Sequence, residues 1–183
     1  MKQIALDLGT STLAGLLLDA DGVSLAEVQL ANPQRELGAD VLARLQLAHE
    51  GGGARLQALL IDGARAVISR LLADAKVSPS DVAGVAAAGN PAISCLLRNL
   101  PVDSLLFPPH KPPYRSLATL SPPECDLGLP CPLQLFPLVS GFVGGDLVAC
   151  LLALGDVPAG TLLVDIGTNA ELALWTGAQW LVS

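Results

Sequence analysis

Two stretches of this 183-residue chain carry residue types and spacing suited to holding a phosphate. One reads Ile4-Ala5-Leu6-Asp7-Leu8-Gly9-Thr10-Ser11-Thr12, and the other Leu162-Leu163-Val164-Asp165-Ile166-Gly167-Thr168-Asn169-Ala170. Each is an apolar run that delivers one aspartate to a glycine turn lined with hydroxyl or amide side chains. Glycine lets backbone N–H groups come close to a ligand, and successive N–H groups form an anion-binding concavity. Thr10, Ser11 and Thr12, or Thr168 and Asn169, add side-chain donors to it. Asp7 and Asp165 cannot themselves hold a phosphate, because two anions repel. Each can hold Mg²⁺ through one carboxylate while phosphate oxygens supply further ligands. A single Asp-x-Gly-Thr is an ordinary turn sequence. Two copies, each after an apolar run, suggest one nucleotide clamped between two related halves.

The elements that would position these turns follow from periodicity and turn chemistry. Residues 3–9, 13–19 and 23–30 read as three short strands, with Asp19-Ala20-Asp21-Gly22 as a hairpin turn. Residues 35–49 read as helical, broken by a flexible Gly51-Gly52-Gly53. From residue 54 to 75 apolar residues recur at helical spacing, which predicts a long helix packed on the sheet. Residues 82–88 are small and β-prone, and Gly89-Asn90-Pro91 turns into a second helix through Leu97, placed like a ligand-facing loop. Residues 101–137 hold ten of the fourteen prolines and little helical periodicity. Such a segment reads as an extended surface excursion rather than a core element, either a partner contact or an ordered wrap. His110 and Lys111 within it could touch an acidic partner or simply be solvated. Residues 141–154 read as a buried helix, and residue 161 onward as further strands.

Composition excludes several function classes. Ten Lys and Arg stand against 17 Asp and Glu, a formal net charge of −7, with no basic stripe. That argues against nucleic acid as a partner, since phosphate neutralisation supplies most of such affinity. Hydrophobic residues make up 51% and the mean hydropathy is +0.54, yet no apolar run reaches the length of a membrane span. The N-terminus lacks the apolar core and cleavage site of a signal peptide, which predicts a cytoplasmic protein. Cys95, Cys125, Cys131 and Cys150 match neither zinc nor ferredoxin spacing, so no iron–sulfur cluster is expected on this chain. Cys95 and Cys150, set among Leu, Ile and Ala, read as small buried hydrophobes. Cys125 and Cys131 share a loop in which they could meet.

The paired turns resemble the phosphate motifs of the actin, sugar-kinase and Hsp70 ATPase superfamily. More narrowly, Asn32-Pro33-Gln34, Gly38-Ala39-Asp40-Val41, Gly89-Asn90, Gly141-Phe142-Val143-Gly144-Gly145-Asp146 and Asp165-Ile166-Gly167-Thr168-Asn169 recur in that order. This resembles the ATPase domain of the reductive activators of corrinoid proteins, without the [2Fe–2S] domain that precedes it in that family. The resemblance implies an α/β, ribonuclease-H-like fold with a complete first lobe, 1–140, including the proline-rich excursion 101–137. Residues 141–183 would be the crossing helix and the start of a second lobe. The adenosine-binding glycine loop has no counterpart, and the chain reads as a fragment or a truncated relative that by itself would be inactive or only partly active.

By the same resemblance, Asp7 and Asp165 would position Mg²⁺. Gly9, Thr10, Ser11, Thr12, Gly167, Thr168 and Asn169 would cradle the β- and γ-phosphates of ATP. Asp146 would orient the attacking water, unless it is only a helix N-terminal residue favoured by the macrodipole. Glu171 is a second candidate for that role. Ala170 stands where relatives often carry glycine. The expected partner is a corrinoid iron–sulfur or corrinoid methyltransferase protein, with a separate electron donor and a homodimer both open. Two other functions fit the same residues: a small-molecule kinase in which a substrate hydroxyl replaces water, and a non-catalytic module binding its partner through the proline-rich loop and residues 32–41.

Overall fold

The computed structural model describes residues 1–167 and 170–183. Strands β1 (Lys2–Leu8), β2 (Thr12–Leu18) and β3 (Ser24–Ala31) form an antiparallel meander, each within a residue or two of its expected place. Strand β4 (Val82–Ala88) lies parallel to β1 on its other side. With β5 (Ala118–Leu120) and β6 (Leu133–Leu135) they make a six-stranded mixed sheet of order β3-β2-β1-β4-β6-β5. The alternation of side chains along β1 divides the work between the two faces. Ile4, Leu6 and Leu8 are buried in the core, while Ala5 and Asp7 face the other way.

Helix α1 (Val41–Leu47) starts at Asp40, whose side chain accepts from the Ala43 N–H at 2.8 Å. It runs through one π turn, Ala48–Gly52, into the long α2 (Gly53–Ala75). The helical path is broken within the glycine triplet, by a kink at Gly51, whose φ of 100° suits glycine. Leu56, Leu60, Ala64, Val67, Ile68 and Leu71 form the buried stripe of α2. All of these but Leu56, which packs with Leu45 and Cys95 in a neighbouring cluster, join the β1 and β2 side chains in the main core. Each fully buried Leu or Ile contributes about 1.5–3 kcal/mol, so this face of α2 anchors the sheet. Two shorter helices follow, α3 (Pro91–Leu97) and α4 (Asp103–Leu106).

The proline-rich stretch differs from its reading as a surface excursion. It supplies β5 and β6, and β6 extends the sheet in parallel with β4. Leu120, Cys125, Leu127, Leu129, Leu133 and Leu135 belong to the main core. The prolines frame these apolar residues instead of displacing them. His110 is half-buried, with Nδ1 2.8 Å from the Leu105 carbonyl, so it is not simply solvated. The cysteines are free thiols, and Cys125 is buried in the core. Its thiol is pushed up to about 11 by burial, and that of Cys95 to about 12 by the same cause.

Helix α5 (Gly145–Leu154) leads to a second sheet, β7 (Leu162–Ile166), β8 (Ala170–Trp175) and β9 (Trp180–Val182), antiparallel throughout. Leu147 of α5 is buried with Val143 and Ala173, and Leu163 and Trp180 pack against them. The opposite face carries exposed Leu162, Val164, Ile166 and Leu181. No helix among the described residues is long and apolar enough to cross a membrane.

Candidate functional site

A cleft of about 800 Å³ separates the outer face of the large sheet from α5 and the start of the second sheet. Strand register builds its floor. Ala5 and Asp7 of β1 lie opposite Leu16 and Ala14 of β2, Leu16 lies opposite Glu27 of β3, and Ala86 and Ala88 of β4 lie beside Ala5 and Asp7. Residues facing each other across a ladder share a face, so Asp7 and Glu27 emerge from a floor otherwise made of alanines and Leu16.

The first turn closes one end. Gly9, Thr10, Ser11 and Thr12 all line the cleft. The turn is held from behind by Asn32, whose Nδ2 donates to the Gly9 carbonyl and whose backbone N–H donates to the Ser11 carbonyl, both at 2.9 Å. Asn90 holds it from the side, donating from Nδ2 to Thr10 Oγ at 3.1 Å. Its Oδ1 also accepts from the Ile93 N–H at 3.0 Å, which caps α3. One asparagine thus ties the first turn to the Gly89-Asn90 turn.

The opposite wall depends on Gly144. A Cβ there would stand 2.6 Å from Asn90 Cα and 2.7 Å from the Gly89 carbonyl oxygen. Its absence lets the Gly145 N–H donate to that carbonyl at 2.9 Å. This docks the first turn of α5 against the end of β4. Asp146, Ala149, Cys150 and Ala153, at helical spacing i, i+3, i+4 and i+7, then face the cleft.

From the second sheet come Asp165, Gly167 and Glu171. Asp165 and Glu171 are directly cross-strand, a like-charge pair that is destabilising unless something cationic offsets it. The Cys150 thiol points at Asp165 Oδ2, 4.0 Å away. The structure thus brings Asp7, Gly9, Thr10, Ser11, Thr12, Asp146, Asp165, Gly167 and Glu171 to one cleft. Thr168 and Asn169 lie outside the described residues.

Electrostatics give the cleft its character. Burial holds the Asp7 carboxyl above the usual range, and Asp165 adds to the effect. Burial likewise raises Asp146, opposed by N–H groups at its helix turn and reinforced by Asp165 and Asp7. Glu171 is raised by burial, then by Asp146 and Asp165. Asp7, Glu27, Asp146, Asp165 and Glu171 line the cleft with no Lys, Arg or His among its lining residues. Among the described residues, no group of three or more His, Cys, Asp or Glu converges as a metal-ligand set. Mg²⁺ does not require one, since one or two carboxylates plus phosphate and water are its usual ligands.

Sequence reasoning missed Glu27 and Cys150 as cleft residues. Cys150 was readable, four residues after Asp146 and so on the same helix face. Glu27 was not, because its place depends on the β2–β3 register. Within residues 32–41, Asn32 and Gln34 are fully buried, whereas Arg35, Glu36, Ala39 and Asp40 are exposed.

The family model described as RACo middle region matches residues 3–155. The corrinoid activation enzyme RamQ of Eubacterium limosum is 28% identical over 191 residues, an alignment that takes in 98% of this chain and 31% of that protein. Among solved structures, a reductive activator for corrinoid,iron-sulfur protein superposes with a TM-score of 0.95 at 24% identity, covering 100% of this chain and 30% of that one. A protein from Sinorhizobium meliloti described as a 2-dehydro-3-deoxygalactonokinase superposes with a TM-score of 0.52 at 13% identity, covering 93% and 48%. The chain spans about a third of the length of the curated relative it matches. The α/β fold expected from the two turns is thus found both in a corrinoid activator and in a sugar kinase. The chain belongs to the RACo middle region family.

Proposed function

We propose that this chain forms the phosphate-gripping part of an ATP site, in a protein that couples ATP binding and hydrolysis to the reductive reactivation of a corrinoid protein. The observation that carries the reading is the meeting of Gly9, Thr10, Ser11 and Thr12 with Gly167 in one cleft that also holds Asp7, Asp146 and Asp165. In this reading Gly9, Thr10, Ser11 and Thr12 cradle phosphate from one side. Gly167, with Thr168 and Asn169, does so from the other. Asp7 and Asp165 hold Mg²⁺, and Asp146, with Glu171 as its alternate, orients the attacking water. The corrinoid partner and a cytoplasmic setting belong to the same proposal, the first drawn from the names of the relatives and the second from the sequence.

The charge of the lining fits Mg²⁺ as a required companion of the nucleotide. A unit charge pair 4 Å apart at an effective dielectric of 20 interacts by about 4 kcal/mol. A hydrogen bond to a charged group returns about 1.5–3 kcal/mol. A few N–H donors therefore cannot offset several carboxylates facing a phosphate chain. A bound Mg²⁺ supplies the missing positive charge and a template for the phosphate oxygens.

Calorimetric titration with Mg-ATP and a non-hydrolysable analogue, beside Asp7→Ala and Asp165→Ala, tests the reading. Magnesium-dependent binding lost in both variants supports it, and a folded wild-type chain that binds neither refutes it. The kinase reading has one specific support, the fold shared with the 2-dehydro-3-deoxygalactonokinase. It requires ADP formation that depends on a small hydroxyl acceptor, whereas the activator reading requires nucleotide effects that depend on a corrinoid protein.

A further inference from the structure

We infer that Asn32, locked from behind by Gln34 and Arg44, is the positioning residue that aims the Thr10 N–H of the first turn at the phosphate. The inference rests on the phosphate-site reading. It concerns residues that do not line the cleft.

In a planar trans peptide C=O and N–H point in opposite directions. Asn32 Nδ2 holds the Gly9 carbonyl at 2.9 Å on the core side, so the Thr10 N–H of that peptide points the other way. Among the described residues nothing accepts the Thr10 N–H, although Thr10 is only 5% exposed. A backbone N–H with no protein acceptor at the wall of a cleft is open to a ligand oxygen. Asn32 itself is fixed at every polar atom. Its backbone N–H donates to the Ser11 carbonyl, and its Oδ1 accepts from the Gln34 N–H at 2.9 Å.

Gln34 is fixed in turn. Its Nε2 donates to the Leu56 carbonyl of α2 at 2.9 Å, and its Oε1 accepts from Arg44 Nη1 at 3.3 Å. Arg44 is fully buried on α1, and its Nε donates to the Gly38 carbonyl at 2.9 Å. Its other terminal nitrogen has no partner, and it forms no ion pair among the described residues. A buried guanidinium without a carboxylate partner is expensive, so packing alone does not account for it. Placed behind Gln34, it rigidifies the amide chain that ends at Gly9.

The test uses the whole chain and the Mg²⁺ complex of tripolyphosphate, which contacts only the phosphate part of the site. Asn32→Asp keeps the shape and the acceptor for Gln34 but turns the donor to Gly9 into an acceptor. Loss of one aimed donor to an anion should weaken Mg-tripolyphosphate binding about 10- to 100-fold in a variant that still shows a cooperative melt. In the wild-type chain the Thr10 amide proton should move downfield in NMR spectra as Mg-tripolyphosphate is added, a readout that does not depend on the variant folding. Wild-type binding with an unmoved Thr10 amide overturns the inference, as does a folded Asn32→Asp variant that binds like wild type. Failure of the wild type to bind overturns the phosphate-site reading itself.

Discussion

Replacing Gly144 with alanine tests the junction that sets the cleft's width. Gly144 has φ −108° and ψ −166°, an extended conformation open to alanine, so the substitution imposes no backbone strain of its own. What it imposes is contact. The new Cβ would stand 2.6 Å from Asn90 Cα and 2.7 Å from the Gly89 carbonyl oxygen, both backbone, and 2.8 Å from Asp146 Oδ1, against an ordinary van der Waals contact of 3.4–4 Å. The first turn of α5 must therefore retreat by about 0.8 Å, stretching the Gly145 N–H bond to Gly89 and carrying Asp146 with it. Overpacking of this kind costs about 1–3 kcal/mol. In a chain of this size each kcal/mol lowers the melting temperature by about 2–4 °C, so a fall of about 2–12 °C is expected. A misplacement approaching 1 Å at a reacting group costs about 10²-fold in rate. Differential scanning calorimetry reads the first effect, and ATP hydrolysis measured with a corrinoid protein present reads the second. An unchanged melt would refute the close approach, and a lowered melt with unchanged hydrolysis would refute the role given to Asp146.

Three further outcomes are expected. Because burial and Asp165 raise the Asp7 carboxyl, a proton should compete with Mg²⁺ at a higher pH than at an ordinary carboxylate. Mg-ATP affinity, titrated from pH 7.5 downward, should therefore fall while the pH is still above 3.8, the usual Asp value. Asp7, Asp146 and Glu171 all bind protons more tightly folded than unfolded, so their contribution to stability is present below the unfolded values and lost as pH rises through the folded ones. Melts without divalent cation should show that loss across this window, and Mg²⁺ should reverse it; a melt that gains stability from these groups on raising the pH would contradict it. Leu135→Ala, in the proline-rich stretch but fully buried, should cost about 2–5 kcal/mol in urea unfolding; a cost near zero would restore the surface reading of that stretch.

Much of this was legible because local chemistry decides it. The three opening strands, β4 and α2 announce themselves through period-2 and helical apolar spacing, and the two glycine turns through repetition of one phrase. The proline-rich segment misled because proline density signals irregular backbone, whereas the burial of Leu133 and Leu135 depends on pairing between β6 and β4, about fifty residues apart in sequence. The Asn32–Gln34–Arg44 network was hidden for a related reason. Arg44 looks like any charged residue of an amphipathic helix, and only its full burial, with bonds to Gln34 and the Gly38 carbonyl, sets it apart. Cys150 looked like a core hydrophobe until the sides of α5 were assigned, one to Leu147 and the second sheet, the other to the cleft.

The short outer strand β5 has a consequence for behaviour at high concentration. An exposed sheet edge is a template for adding a strand from another molecule, and long, flat, apolar edges aggregate. Here the edge beyond β6 is three residues long, preceded by Pro112 and Pro113 and followed by Pro122 and Pro123, which lack the N–H that a neighbouring strand would need. A chain that is 51% hydrophobic thus ends this side of its largest sheet at a place where growth by recruitment is blocked. The prolines that made the segment look irregular flank this edge and limit strand addition there.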